Sequence, residues 1–167
     1  NMKDYASAVK ELESAVGSKG PDPGEANLYL GQSLMMKTPA MPKRAEQAFE
    51  SSLKSMGFSK TGLFEGRLFK RGWGGKSVTK WLDKTKGADK RQLATDVFIG
   101  LLEATYLQGN WKSVVGKADA FGGLIKGSHV EQRVRVLTGE AHAKSENYKE
   151  AAVAYEAAAN LKGADAS

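Results

Sequence analysis

Apolar positions recur along this chain at helical spacing, and several of the recurrences begin at the same kind of dipeptide. Asp4-Tyr5 is followed by Ala8, Leu12 and Ala15, Asn110-Trp111 by Val114, Ala118 and Phe121, and Asn147-Tyr148 by Ala151, Tyr155 and Ala158. Asp and Asn side chains accept the orphan backbone N–H groups of a first helical turn, so each dipeptide predicts the start of a helix. Further amphipathic stretches run over 25–37, 60–71, 96–108 and 132–144. They predict a first helix ahead of each later second one.

The two sets share a period. The centres of the first helices, Gly31, Gly66, Leu102 and Gly139, are spaced by 35, 36 and 37 residues. The matching positions of the second helices, Ala8, Ala45, Val78, Val114 and Ala151, are spaced by 37, 33, 36 and 37. A small residue at mid-helix in both members of a pair lets the helices cross closely, which predicts helical hairpins that bury their faces by stacking on neighbours.

The last copy, from Leu137 to Ala158, carries Gly139, Ala151, Tyr155 and Ala158 in sequence and resembles a tetratricopeptide repeat, a family with a period of about 34. The resemblance implies an all-α, right-handed solenoid of about four helical hairpins plus a leading half repeat. Its expected segments are 1–20 (a second helix alone), 25–57, 58–90, 92–127 and 129–162. The Gly31 copy keeps Leu30, Ala45 and Phe49 but has two extra residues in its turn over 38–42, and the Trp111 copy keeps Phe98 and Leu101 while placing Leu102 where the crossing glycine belongs. The 58–90 copy stands on spacing alone. It holds Gly62, Gly66, Gly72, Gly74 and Gly75, and an insertion or linker is the alternative there. Because the chain opens on an unpaired second helix and closes without a polar capping helix, it is expected to be a piece of a longer protein.

First helices line the concave groove in that family, and its groove positions fall here on Leu28, Gln32, Met35, Leu63, Arg67, Lys70, Asp96, Ile99, Glu103, Tyr106, Val136 and Glu140, with Arg71 beside them. Apolar anchors among charges of both signs suit an extended peptide or helix of a partner protein. Leu63, Ile99 and Val136 equally fit an interhelical core, since a helix carries an apolar stripe for packing first. Leu28 and Gln32 stand where the chaperone-binding subgroup has Lys and Asn, so a carboxylate clamp is not expected.

Charge sharpens the partner. The 167-residue chain has net charge +6, and ten Lys or Arg residues against three acidic ones fall between Ser59 and Arg91. Lys60, Arg67, Lys70 and Arg71 lie within one predicted helix, which points to an acidic stretch in the partner; a solvated lysine-rich face is the plainer reading. Nucleic acid is the alternative partner, with Trp73 and Trp81 as stacking groups. Self-association through Phe121, Leu161 and the Ala-rich last helix is a third expectation.

Little in the composition supports catalysis. With no Cys and two His, thiol chemistry, disulfides and cysteine metal sites are absent, and neither His129 nor His142 has a neighbour at metal-ligand spacing. Gly75-Lys76-Ser77 shares its ending with a phosphate-binding loop, but Lys70 stands where that loop needs glycine and no apolar strand precedes it. No cofactor, metal or catalytic residue is expected, and the chain is expected to act as a non-enzymatic adaptor. No apolar run reaches the length of a membrane span, so a soluble fragment of the cytoplasm or periplasm is expected.

Overall fold

The computed structural model describes residues 4–17, 22–37, 39–58, 60–65, 68–73 and 75–162, with the surroundings of side chains given outside 60–77 and 162. Local chemistry sets where the helices start. The Asp4 carboxylate accepts the Ser7 N–H at 3.1 Å ahead of α1 (Tyr5–Gly17). Asp22 accepts from the Gly24 N–H at 2.7 Å, and Pro23, with its φ already helical, opens α2 (Pro23–Met36). Pro42 opens α3 (Pro42–Ser55), and Asn110 caps α6 (Trp111–Ala120) through the Ser113 N–H. The longest helix, α5 (Ala88–Leu107), ends where Gly109 takes φ +72°, a turn that glycine makes without strain. A short α7 (Gly122–Ile125) leads to α8 (Glu131–Lys144) and α9 (Tyr148–Lys162).

The fold is all-α in its packed body. Consecutive helices pack as the pairs α2/α3, α5/α6 and α8/α9, and α1 lies on α2. The first helices α2, α5 and α8 touch in turn, which places them side by side. One continuous apolar core runs through the stack, with Phe49, Leu53, Phe98, Leu101, Leu102 and Val134 almost fully buried. Of the matching positions of the second helices, Ala45, Val78, Val114 and Ala151 are buried and Ala8 is half-buried. That burial is the physical content of their spacing.

The expected helix over 60–71 is corrected. Lys60–Glu65 forms β1 and Leu68–Trp73 forms β2, an antiparallel pair with Leu63 opposite Lys70 and Phe64 opposite Phe69. Gly62 pairs with Arg71 and Gly72 with Thr61 in this ladder. After β2 the chain resumes as α4 (Gly75–Lys84), packed on α6 and α7. With no helix from 60–73 between them, α5 packs directly on α3.

The crossing position of α5 is corrected as well. Leu102 is fully buried core, and Gly100 makes the close approach: a Cβ there would lie 2.5 Å from the Phe49 ring. A Cβ on Gly31 would lie equally close, so Phe49 of α3 is clasped between the glycines of two first helices. Gly139 approaches Tyr155 in the same manner at 2.8 Å.

Two further expectations change. Trp81 is only 9% exposed, stacks on Phe58 with ring centroids 4.4 Å apart, and donates its indole N–H to the Met56 carbonyl at 2.7 Å. It is no stacking platform for a base. Phe121 is fully buried between Phe58 and Phe98 and cannot serve an external contact.

Candidate partner-binding site

The α5 and α8 helices present a common face crossed by three polar rungs. His129 Nε2 and Asp96 Oδ1 lie 2.8 Å apart, Arg133 Nε donates to Glu103 Oε1 at 3.0 Å, and the Tyr106 hydroxyl faces Glu140. The spacings on α5 (96, 103, 106) and α8 (133, 140) follow one helical face, so two rungs tie α5 to α8 and the third, at His129, ties it to the turn that leads into α8. The Glu140 hydrogen bond, then burial and the nearby charge, hold the Tyr106 phenol above its ordinary pKa. The Tyr106 ring also tilts against Trp111 at 5.0 Å, which anchors its aromatic body to α6.

The expected groove residues divide by position. Glu103, Tyr106 and Glu140 come together as rungs, each partly exposed. Gln32 is exposed on α2, while Met35 and Ile99 are half-buried and pack against the core. Leu28 is corrected: at 5% exposure it belongs to the core beneath α2 and offers no surface to a partner. Leu63 lies on β1, and Lys70 and Arg71 lie on β2, not on a helix. Arg67 falls outside the described residues.

Sequence reasoning passed over Met36 and Leu107, which are 60% and 58% exposed. Each follows an expected groove residue by four positions, Gln32 and Glu103, and so shares its helical face. The spacing was legible; the exposure of two large apolar side chains at helix ends was not.

Behind this face lies a second polar junction. Glu46 of α3 accepts from Lys117 of α6 at 2.9 Å, from Gln108 at 2.7 Å and from Thr105 of α5 at 3.2 Å. Lys117 also donates to Ser113 at 2.9 Å and is nearly buried. Burial pushes the Glu46 carboxyl up, but the three donors and the lysine charge outweigh it and leave the pKa below its ordinary value. The junction joins three helices and is structural in character.

Among the described residues no group of three His, Asp or Glu side chains is arranged to hold a metal, and no helix is long and apolar enough to cross a membrane. The His142 Nδ1 is buried without a hydrogen-bond partner among the described residues.

No family model and no curated protein matches the chain. Among solved structures, the crystal structure of MamA resembles it with 15% identity over 98% of this chain and 91% of that one, at a TM-score of 0.31. A likeness that distant carries no argument about function, and the chain's own geometry must supply it.

Proposed function

We propose that the chain is a non-enzymatic protein-interaction module of tetratricopeptide-like construction, which holds a segment of a partner protein along the face made by α2, α5 and α8. The observation that carries this reading is the alignment of three first helices in contact, with the α5/α8 pair cross-linked by polar rungs and with Gln32, Met36 and Leu107 open to solvent. A rigid face with exposed apolar anchors between charged groups is what a peptide or helix of a partner needs, because little ordering cost falls on the module itself. The finer reading is that an acidic stretch of the partner meets the basic segment around Lys70 and Arg71. The burial of Trp81 removes one support from the nucleic-acid alternative.

The test is affinity capture from lysate of the source cells, after nuclease treatment, with wild type, Leu107→Arg and the pair Lys70→Glu, Arg71→Glu as baits. Loss of a specific set of proteins from the Leu107→Arg bait, at unchanged melting temperature, supports the groove. Loss from the charge-reversed bait with weaker salt dependence of the remainder supports the acidic stretch. Identical capture by all three baits overturns the reading.

A further inference from the structure

Beside the first rung, the end of α4, the first turns of α5 and the segment linking α7 to α8 enclose an open cleft of about 350 Å³. Leu82 and Leu124 give it an apolar part, while Arg91, Gln92, Lys126 and His129 give it donors. No carboxylate is among its described lining residues. Two carboxylates adjoin it, and both are engaged: Asp96 with His129, and Glu131 with the Gly127 N–H at 2.6 Å and with Arg135.

The cations come from distant parts of the chain. Arg91 closes the basic block, whose exposed Lys84, Lys86 and Lys90, interspersed with exposed Asp83 and Asp89, lie within a few residues of the lining Leu82 and Arg91. Lys126 is brought to the same cleft by the fold, where its charge also acts on Glu131, whose carboxylate is held by Arg135 and the Gly127 N–H. Arg91 is already oriented: Nε donates to the Thr85 carbonyl at 2.9 Å and one Nη to the Leu82 carbonyl at 3.0 Å. Carbonyls fix the guanidinium plane without cancelling its charge, so the fork is pre-organised for an oxyanion.

We propose that this cleft binds a phosphomonoester, with Arg91 and Lys126 on the phosphoryl oxygens and the Leu82/Leu124 side against a compact organic body. A phosphoryl group carries close to two negative charges and three acceptor oxygens, which matches two separated cations with a flanking amide donor better than a single carboxylate does. Two sources share that chemistry, a free small phosphomonoester and a phosphoserine on a peptide. The site adjoins the α5/α8 face at His129, which lines the cleft and pairs with Asp96 in the first rung.

The test titrates the protein at fixed ionic strength with inorganic phosphate, phenyl phosphate, a short phosphoserine peptide and the same peptide carrying Glu, following backbone amide resonances. Saturable shifts at Gly123, Gly127 and Ser128, with inorganic phosphate half-saturating on the order of 1 mM, are expected. Lys126→Gln should weaken binding about tenfold, the loss of one charge-assisted hydrogen bond, with the unliganded melting temperature unchanged. Tighter binding of phenyl phosphate assigns the site to small molecules, and tighter binding of the phosphoserine peptide assigns it to a modified partner. Shifts that do not saturate, that survive in Lys126→Gln, or that the Glu peptide reproduces at equal affinity overturn the proposal.

Discussion

Phe49 shows most directly how single residues set this stack. Its ring is clasped by Gly31 of its own hairpin and Gly100 of the next first helix, each with room for no more than a hydrogen at Cα. Replacing a helical glycine by alanine gains up to about 1 kcal/mol of helix propensity, so the sign of the change depends on whether the neighbour can move. At Gly100 it cannot, since the ring is blocked on its other side, and Gly100→Ala should destabilise by about 1–3 kcal/mol in urea denaturation. Gly139 presses on Tyr155, which is 40% exposed and can swing outward, so Gly139→Ala should cost less than half as much. Equal losses at the two positions would show that the clasp is not what fixes α5 on α3.

Among elements, the Glu46 junction does for α3, α5 and α6 what hydrophobic contact alone does elsewhere. Glu46→Gln keeps an oxygen that accepts from Lys117 but removes the negative charge that compensates it, and should cost about 1–3 kcal/mol, discounted from a fully buried pair because Glu46 is partly exposed. The double change Glu46→Leu, Lys117→Met should recover most of that loss, which thermal unfolding of the single and double variants would show. The same groups set an acid limit. Glu131, held down against its burial by the Gly127 N–H and Arg135, shares with Glu46 a folded-state pKa below its ordinary 4.5. The unfolded chain therefore binds more protons below about pH 4.5, and the stabilisation present above that value is lost as pH falls through the folded-state values. Melting temperature should be flat from pH 7 to 5 and fall below 4.5, and Glu46→Gln should flatten part of that fall. A raised Tyr106 phenol works in the opposite direction: its stabilisation is present below about pH 10 and fades as pH rises beyond it.

For the molecule as a whole, the arrangement of first helices decides what the surface can hold. Breaking the central rung by Arg133→Ala removes an exposed pair and should change stability by no more than about 1 kcal/mol. If the α2/α5/α8 face holds a partner, the same change should weaken capture measurably more than stability, because it releases the Glu103 carboxylate into the groove. Unchanged capture would move the contact away from the α5/α8 face.

The helices and their period were legible in the sequence because caps and burial are local consequences of residue type. Asp4 and Asn110 offer side-chain oxygens at helix starts, and Ala45, Val114 and Ala151 recur where a second helix must turn inward. The absence of cysteine chemistry was equally a matter of composition. Long-range packing decided the rest. An amphipathic spacing over 60–71 is compatible with a helix, but a strand pair takes the segment, and α5 then meets α3 through Gly100 in place of Leu102. Leu28 and Trp81 turned inward because neighbours from other parts of the chain cover them, as Met56 and Phe58 do for Trp81. The rungs from Asp96, Glu103 and Tyr106 to α8, and the meeting of Arg91 with Lys126, join residues about 30 positions apart. Periodicity gives the face on which each such residue lies, whereas the distance between two faces is set only when the stack closes.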